Sequence, residues 1–554
     1  MLNPPLLKIY ETSFRENFML PCLSDYNTGE TITYGEFARR IARLHMFFDK
    51  TGIRPGDRVA LLGKNNINWV TVFMATLTYG AAIVPILNEF NPRDCQHIIN
   101  HSGSRLLFIS DAIWESVDFT ELPDVQAALS TDSRTVLADR SQGEAVSKAL
   151  HNLTRAFKRR YKEGYNPVDI VYPEIADDRM AILNYTSGTT GFSKGVILPM
   201  RVLWGNVTFG LKTKLHYKGS RCLSFLPLAH AYGCAFDMLT PLGAGSHITL
   251  LGRTPTPMVL MKAFADVRPN LIVTVPLILE KIYRKMIVPA LAKRGLRMAL
   301  SIPLMDKAVY RAIRRKLIRA LGGAFSQVIV GGAALNPEVE DFLLRIKFPV
   351  TCGYGMTECG PLISITMADR FIPGSVGRVL PGLMEVKILS DNPQTPGEIM
   401  VRGVNVMDGY FRNPDATLAV LEEDGWLHTG DMGTLGGPEG ETIFIKGRCK
   451  TMILSASGQN IYPEEIEAKL NNMPYVGESL VLDRDGKIIA LVYADSEAAD
   501  RDGVSDARMP VIMETTRKEL NKLLAPYEQV AKIQLVDSEF EKTPKRSIKR
   551  FMYT

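Results

Sequence analysis

The sequence predicts an α/β fold in which parallel sheets are layered with helices, followed by a smaller α+β region. Apolar strand patterns alternate with helix patterns in the first part of the chain, which is typical of parallel strands joined by helical crossovers. Short strands with Gly and Pro turns occupy residues 374–446 and predict a small barrel or a distorted sheet. Residues 446–467 mark a boundary, after which a helix, a two-stranded hairpin and another helix are predicted. At 554 residues and 46% hydrophobic content, the chain can build at least two buried cores.

The N-terminal elements follow from hydrophobic spacing. Thr33 and Glu36 form a capping-box pattern before apolar residues at helical intervals, which predicts an amphipathic helix over residues 31–50. The next elements are predicted to be the strands RVALLG, AAIVPIL and RLLFIS, with helices from Ile67 to Thr78 and near Asp94 to Asn100. The uncharged stretch Trp69 to Leu87 is long enough to cross a bilayer, but its threonines, Gly80 and Pro85 favour a helix followed by a buried strand.

Composition excludes several classes of protein. The net charge of +6 is mild and suits anionic small ligands or a membrane surface better than a nucleic-acid groove. The seven cysteines are scattered without a Cys-x-x-Cys pair, which argues for a reducing compartment and against a zinc site. The N-terminus lacks a secretory signal pattern. We expect a cytoplasmic protein with no nucleic-acid partner, and the sequence leaves the oligomeric state open.

Two basic helical patterns, at residues 145–166 and 305–321, have two alternative explanations. They are either solvated helix faces or a surface that contacts anionic lipid at the inner face of the membrane.

A segment rich in small polar residues lies between two strand patterns. Eight of the ten residues from Thr186 to Gly195 are Gly, Ser or Thr. Glycines let backbone amides turn inward, hydroxyls add donors, and Lys194 supplies the positive charge that a polyphosphate needs. The spacing is not that of a P-loop, because Lys194 is followed by Gly195 and a strand. The segment is therefore an anion nest or, alternatively, a flexible surface loop.

This segment, YTSGTTGFSKG, resembles the phosphate-loop signature of the adenylate-forming enzymes, the superfamily of acyl-CoA synthetases, adenylation domains and luciferases. Four further segments resemble motifs of the family and follow in its order: LPLAHAYG, VIVGGAAL, TCGYGMTECG and GWLHTGD. The helix at 305–321 and the QVIVGGAAL segment after it resemble the long-chain acyl-CoA synthetase branch. The resemblance extends from about residue 10 to the end of the chain.

The resemblance implies a set of nucleotide contacts. The phosphate loop would comprise Thr186, Ser187, Gly188, Thr189, Thr190, Gly191 and Lys194. Adenine would lie against Gly332, Ala333 and Ala334 and against Gly353, Tyr354, Gly355, Met356 and Thr357, with Tyr354 stacked on the base. Asp431 and Arg448 correspond to ribose contacts, and Thr186 and Glu358 to ligands of Mg²⁺. Taken without the resemblance, these segments would predict plain turns after strands.

The resemblance also implies catalytic and hinge residues. His230 would lie beside the carboxylate that is activated, although an apolar setting by itself indicates a core histidine. Cys234 replaces a gating Trp of some long-chain members, so the acyl channel is either ungated or gated by another residue. Lys450 corresponds to a hinge, followed by Thr451 where the family commonly has an acid. The implied domains are residues 1–448, with a β-barrel-like part at about 372–446, a hinge at 449–451, and a mobile domain at 452–554 that brings Gly458 to the pantetheine tunnel.

The C-terminal motif departs from the family pattern. In FEKTPKRSIKR, Ser547 occupies the position of the lysine that carries the adenylation step. Residues two apart on an extended segment share a face, so Lys545 and Lys549 flank the vacant position. We expect either slow adenylation or replacement of the missing cation by Lys549 or Lys545, with a solvated basic tail as the structural alternative.

These features predict an ATP-dependent acyl-CoA ligase that uses Mg²⁺ and CoA and activates a medium- to long-chain fatty acid through acyl-AMP. An aryl-acid CoA ligase and an acyl-AMP ligase that loads a carrier protein are alternative enzymes. A catalytically impaired nucleotide-binding protein is the alternative from another class.

Overall fold

The computed structural model describes residues 2–186, 194–291, 293–302, 305–454, 459–484, 486–543 and 548–553. Its strands are β1 (Pro21–Asp25), β2 (Thr31–Thr33), β3 (Arg58–Leu62), β4 (Ala82–Ile86), β5 (Leu106–Ile109), β6 (Ala127–Ser130), β7 (Val136–Asp139), β8 (Met180–Thr186), β9 (Lys194–Pro199), β10 (Arg221–Ser224), β11 (His247–Leu250), β12 (Ile272–Thr274), β13 (Val328–Val330), β14 (Val350–Gly355), β15 (Leu362–Ile365), β16 (Met384–Leu389), β17 (Gly397–Gly403), β18 (Gly409–Tyr410), β19 (Leu427–Gly436), β20 (Thr442–Arg448), β21 (Ile453–Leu454), β22 (Asn460–Ile461), β23 (Val476–Arg484), β24 (Lys487–Ala494) and β25 (Lys532–Val536).

The α-helices are α1 (Leu6–Glu16), α2 (Tyr34–Thr51), α3 (Ile67–Tyr79), α4 (Pro92–Ser102), α5 (Asp111–Trp114), α6 (Ala145–Arg160), α7 (Met200–Lys212), α8 (Ala231–Gly233), α9 (Thr240–Ala244), α10 (Pro257–Val267), α11 (Pro276–Ile282), α12 (Val288–Leu291), α13 (Arg294–Leu300), α14 (Met305–Ala320), α15 (Pro337–Arg345), α16 (Pro414–Leu418), α17 (Pro463–Leu470), α18 (Ser496–Arg501) and α19 (Met509–Asn521). A π-helical segment, Cys234–Leu239, joins α8 to α9, and a second, Tyr283–Ile287, joins α11 to α12.

The largest sheet has the strand order β18-β9-β8-β4-β3-β5-β6-β7. Its central strands β8, β4, β3, β5 and β6 are parallel, as the alternation of strands and helices predicted. Thr33 accepts a hydrogen bond from the Glu36 N–H at 3.1 Å and so caps α2 as predicted. The uncharged stretch from Trp69 forms α3 and β4, as predicted, and every residue of α3 except Asn68 and Tyr79 is buried.

Two four-stranded sheets carry the next motifs. One has the order β10-β11-β1-β2, and the other has the order β12-β13-β14-β15. Strands β12, β13 and β14 run parallel, so the segments that follow β13 and β14 leave the sheet at the same edge. The predicted turn at Gly353–Gly355 is wrong, because these residues belong to β14 and pair with β15.

Four strands between residues 384 and 448 form an antiparallel sheet with the order β16-β17-β19-β20, while β18 belongs to the largest sheet. A small barrel and a distorted sheet were the two predicted forms of this region. The outer strands β16 and β20 are not paired with each other, so the sheet is open and does not close into a barrel. The predicted strand at residues 376–380 contributes only the isolated bridges Ser364 to Val379 and Arg378 to Thr442.

The C-terminal part has its own sheet, β23-β24-β25, which packs with α17 and α19. Its apolar residues form two clusters apart from the main core, the larger of which includes Ile466, Leu470, Met513 and Leu520. Among the described residues, no helix combines the length and the apolar character needed to cross a bilayer.

Candidate active site

The predicted phosphate loop joins two strands of the largest sheet. Strands β8 and β9 pair antiparallel, and their last register pair is Thr186 with Lys194. The Lys194 ammonium lies 4.8 Å from the ring centroid of Tyr410, on β18, which pairs with β9. The loop residues Ser187, Gly188, Thr189, Thr190 and Gly191 lie outside the described residues. The structure therefore brings Thr186 and Lys194 side by side at the base of the loop.

Glu358 lies in the single 3₁₀ turn Thr357–Cys359, directly after β14. Tyr410 donates a hydrogen bond from its hydroxyl to Oε1 of Glu358 at 2.9 Å. Burial and the neighbouring Glu358 carboxylate raise the pKa of Tyr410 above its usual range, so the phenol remains a donor. Tyr410 therefore links the carboxylate proposed to bind metal with Lys194.

Buried amides hold the Glu358 turn in place. Asn206 donates to the carbonyl oxygen of Cys359 at 3.2 Å and accepts from the Leu362 N–H at 2.9 Å. Asn405 donates to the carbonyl oxygen of Leu362 at 2.8 Å. A Cβ at Gly355 would overlap the carbonyl oxygen of Pro361, so only glycine allows this close approach. The turn is therefore fixed from both ends by buried groups.

A second group of side chains surrounds Asp431, which is 6% exposed. The Tyr354 hydroxyl donates to Oδ2 of Asp431 at 2.6 Å, and Nε of Arg448 lies 2.8 Å from Oδ1. Burial raises the pKa of Asp431, and the charge of Glu358 adds to this rise while Arg448 opposes it. Glu358 is thus close enough to act on Asp431 electrostatically. The structure brings together the residues assigned to metal, adenine and ribose.

The turn at Gly331–Ala334 is supported from below by Tyr232. A Cβ at Gly331 would come within 3.0 Å of the Tyr232 ring, whose hydroxyl donates to the carbonyl oxygen of Ile329 at 3.2 Å. Gly332, Ala333 and Ala334 are exposed, and Gly332 has a φ of +86°. Because these three residues have small side chains or none, their backbone is open to contact with a planar ring such as adenine.

His230 begins the helix that contains Tyr232. Its Nδ1 accepts a hydrogen bond from the Tyr232 N–H at 3.3 Å, and its side chain is only partly buried. Cys234 is 3% exposed and starts the π-helical segment. Asn184 on β8 donates to the carbonyl oxygen of Ala229 at 3.0 Å and so connects this helix to the phosphate hairpin. His230 is therefore anchored to the sheet that carries the loop.

The hinge region makes a contact that the sequence did not reveal. The Thr451 hydroxyl donates to Oε1 of Glu464 on α17 at 2.7 Å and lies 3.2 Å from the carbonyl oxygen of Arg448. An acid from the C-terminal part thus reaches the position where the local acid is missing. Lys450 is exposed, and Gly458 lies outside the described residues.

Lys542 and Ile548 of the C-terminal motif form an isolated antiparallel bridge. Nζ of Lys549 lies 3.9 Å from Oε2 of Glu541, and the Lys549 side chain is 34% exposed. Arg550 binds both carboxylate oxygens of Glu467, at 2.6 and 2.5 Å. Lys545 and Ser547 lie outside the described residues, so their predicted placement is not tested.

Sequence reasoning missed Tyr410, Glu398 and His428, although His428 lies within the GWLHTGD segment. Tyr410 and Glu398 have no local signal, since they meet their partners only through strand packing. In the described parts of the chain, no group of three or more His, Cys, Asp or Glu side chains is arranged to hold a metal ion. A metal at Glu358 would need further ligands from hydroxyls, phosphates or water.

The fold and these residues define a nucleotide-binding α/β protein with a mainly parallel sheet and a glycine-rich hairpin. The model of the family described as AMP-binding enzyme matches residues 13–411. The chain therefore belongs to the AMP-binding enzyme family, which confirms the family predicted from its motifs.

Curated relatives and solved structures agree with this assignment. The chain is 29% identical to the peroxisomal long chain acyl-CoA synthetase 6 of Arabidopsis thaliana, over 84% of this chain and 69% of the relative. It is 28% identical to the long-chain-fatty-acid–CoA ligase FadD15 of Mycobacterium bovis, over 94% and 90%. The structure of o-succinylbenzoate CoA synthetase from Bacillus subtilis with ATP and a magnesium ion has a TM-score of 0.72 at 21% identity and covers 98% of both chains. This structural similarity confirms the predicted fold.

Proposed function

We propose that the chain is an ATP-dependent, AMP-forming acid–CoA ligase that activates a medium- to long-chain fatty acid. The acid is first converted to acyl-AMP and then transferred to CoA. The observation that supports this proposal is that Lys194, Glu358 and Asp431 lie in one site of a chain that belongs to the AMP-binding family. Tyr410 contacts both Lys194 and Glu358, and Tyr354 binds Asp431. The named functions of the two relatives support a fatty acid as the substrate.

The residues fit the first half-reaction. When bound, ATP with Mg²⁺ supplies the electrophilic α-phosphorus and neutralises the charge that develops on the phosphates. Glu358 and Thr186 are oxygen ligands of the kind that Mg²⁺ prefers, and Lys194 provides a cation for the β- and γ-phosphates. Asp431 has two buried acceptor oxygens, which suit a pair of ribose hydroxyls. His230 would orient the acid carboxylate.

The C-terminal segment supplies the missing cation in this proposal. Lys549 carries the role, with Lys545 as the second candidate. Lys549 is suited to it because its ammonium is partly exposed and, among the described residues, its ion-pair contact is a long one of 3.9 Å to Glu541. Lys542 and Arg550 are less suited, since each forms short ion pairs with glutamates. The hinge at 449–451 lets the domain at 452–554 present different residues in the two half-reactions, with Gly458 at the thiol tunnel.

A peripheral contact with anionic lipid completes the proposal. Helix α14 exposes Lys307, Arg311, Arg315 and Lys316, and α6 exposes Arg155, Lys158, Arg159 and Arg160. Exposed apolar residues Met298, Ile302 and Met305 lie just before or at the start of α14. Basic and apolar groups together are typical of surfaces that bind membranes, where fatty acids partition.

Product analysis with ATP, Mg²⁺, CoA and a panel of acids tests the proposed activity. We expect AMP and acyl-CoA in equal amounts, with the highest kcat/KM for medium- to long-chain fatty acids. Acyl-AMP without acyl-CoA would indicate a ligase that loads a carrier protein, and a preference for aromatic acids would indicate an aryl-acid ligase. The absence of product from every acid, with nucleotide binding retained, would contradict an enzymatic function.

A further inference from the structure

The segment that carries Asp431 is a bulge in the antiparallel sheet. In the pairing of β17 with β19, Glu398 is opposite Met432 and Met400 is opposite His428. One residue of β17, Ile399, therefore faces the three residues 429–431 of β19. The bulge turns the Asp431 carboxylate toward Tyr354 and Arg448. Because the regular ladder is interrupted here, other groups must bind the backbone of the bulge.

Glu398 binds the centre of this bulge. Its Oε1 accepts a hydrogen bond from the Gly430 N–H at 3.0 Å, and its Oε2 lies 2.9 Å from Nδ1 of His428. Thr429 adds two bonds, donating to the carbonyl oxygen of Ile399 at 2.7 Å and accepting from the Asp431 N–H at 3.1 Å. A single carboxylate thus connects the residue before the bulge with its middle residue.

His428 lies between two carboxylates. Its Nδ1 faces Glu398, and its Nε2 lies 3.1 Å from Oε1 of Glu422. A neutral imidazole carries a proton on one nitrogen only, and an ionised carboxylate can only accept, so both contacts together require the imidazolium form. The hydrogen bonds and charges of the two glutamates accordingly raise the pKa of His428.

Other titratable groups lie nearby. Cys449, directly after β20, donates its N–H to the carbonyl oxygen of Gly430 at 2.9 Å, and burial together with the charge of Glu398 raises the pKa of its thiol to about 11. Two cations lie on the neighbouring strands. Lys387 on β16 lies 3.9 Å from Oε2 of Glu422 and over the ring of Trp426. Arg402 on β17 also lies over Trp426 and binds Glu385 at 2.7 Å. These two cations have partners other than Glu398. His428 is therefore the cation that the structure pairs directly with Glu398.

We propose that Glu398 and protonated His428 are positioning residues for the nucleotide, which hold the bulge at 429–431 so that Asp431 faces the ribose hydroxyls. This inference rests on the proposed ribose contact of Asp431. In this proposal Glu398 acts through the backbone of the bulge, and His428 acts through Glu398. Loss of the pair should therefore weaken ATP binding and leave the acid and CoA sites unchanged.

The proposal predicts a pH dependence with a defined sign. Below its raised pKa, His428 is charged and both carboxylate contacts are satisfied. As the pH rises through that pKa, His428 loses a proton. One ring nitrogen then has no hydrogen to donate, so it faces a carboxylate oxygen with two acceptors in contact and no hydrogen bond between them. The KM for ATP should therefore rise as the pH passes through the raised pKa of His428, while an arginine at position 428 should remove this rise because it stays charged.

The test measures kcat and the KM values for ATP, acid and CoA from pH 6 to 9. We expect Glu398→Ala and His428→Gln to raise the KM for ATP about tenfold at low pH, with little change in kcat, as for one lost charged hydrogen bond. His428→Arg should keep a low KM at every pH. Glu398→Gln keeps an acceptor for the Gly430 N–H but has no charge, so its KM for ATP should lie between those of the wild type and Glu398→Ala. This variant serves as the test if Glu398→Ala does not fold. Glu385→Ala removes a carboxylate of the same sheet away from the bulge and should match the wild type.

Two results would overturn the inference. One is a wild-type KM for ATP in both Glu398→Gln and His428→Gln, and the other is an unchanged pH dependence in His428→Arg. Asp431→Ala separates the inference from the function on which it rests. If Asp431→Ala raises the KM for ATP and the variants of the pair do not, only the positioning role is wrong. If Asp431→Ala also has no effect, the proposed ribose contact fails and the inference fails with it.

Discussion

Tyr410 and Glu358 are 52 residues apart in the chain and are joined by a 2.9 Å hydrogen bond from the phenol to the carboxylate. The same tyrosine ring lies under the Lys194 ammonium. One side chain therefore connects the proposed metal ligand with the proposed phosphate ligand. This hydrogen bond helps to orient the Glu358 carboxylate, and groups that are oriented in advance make an efficient electrostatic site.

Replacement of Glu358 by alanine should reduce kcat by about 100-fold or more, because the substitution removes a metal ligand from the site of charge development. The fold should remain, since the Glu358 side chain is only partly buried and its turn is held by backbone hydrogen bonds and by Asn206. Steady-state rates and the thermal midpoint test this. Tyr410→Phe is the matched control: it removes only the hydroxyl and should lower kcat by less than about tenfold. A wild-type rate for Glu358→Ala at saturating Mg²⁺ would contradict the assignment.

Restoring a lysine at position 547 should accelerate acyl-AMP formation and leave thioester formation from added acyl-AMP unchanged, because a cation would return to its family position. Lys549→Ala should slow acyl-AMP formation about tenfold or more, and Lys545→Ala should do so if Lys545 carries the role instead. Single-turnover assays of each half-reaction provide the measurement, with Arg546→Ala as the control within the same segment. The idea is wrong if Ser547→Lys gives no acceleration and neither alanine substitution slows the step.

Charge reversal of Arg311 and Arg315 on α14 should weaken binding to anionic liposomes at least tenfold at low ionic strength, because each basic side chain near such a surface contributes about 1 kcal/mol. Binding of the wild type should also fall steeply with salt. Sedimentation with vesicles of phosphatidylglycerol and phosphatidylcholine measures both effects. Reversal of the exposed Lys518 and Lys532 changes net charge equally and is the control. Equal losses in both double variants would indicate nonspecific attraction.

Acidification should destabilise the protein partly through His216, which is 2% exposed and bonded to the carbonyl oxygen of Phe236 at 3.0 Å. Burial lowers the pKa of His216 from 6.5 to about 4. In the unfolded chain His216 therefore becomes protonated as the pH falls below 6.5, whereas in the folded chain it stays neutral down to about pH 4. This stability is present at neutral pH and is lost as the pH falls through that window, by an amount on the order of 3 kcal/mol.

Urea unfolding of the wild type and His216→Gln between pH 7 and 4 measures this contribution. Glutamine retains a donor for the Phe236 carbonyl and cannot be protonated, so the variant should lose less stability over the window. The exposed His151 is the control, and His151→Gln should follow the wild type. Parallel curves for the wild type and His216→Gln would show that His216 does not contribute.

The sequence alone determined those features that are encoded locally. The strands on either side of the Gly-rich loop, the capped helix α2 and the split of the stretch from Trp69 into a helix and a strand all depend on residues close together in the chain. The family motifs are also continuous segments, so Glu358, Asp431 and Arg448 could be named before their surroundings were known. Residues outside any motif, such as Tyr410 and Glu398, gave no comparable signal.

The tertiary structure decided which of these residues meet. Glu398 binds His428 because two strands pair with a bulge between them, and a register of that kind leaves no trace in the spacing of a single sequence. Thr451 meets Glu464 because α17 packs beside β20, so the missing acid at the hinge is supplied from another element. Gly353–Gly355 forms a strand rather than a turn because β15 provides its hydrogen bonds. Local patterns specify elements, whereas contacts between elements depend on packing and register, which are properties of the whole chain.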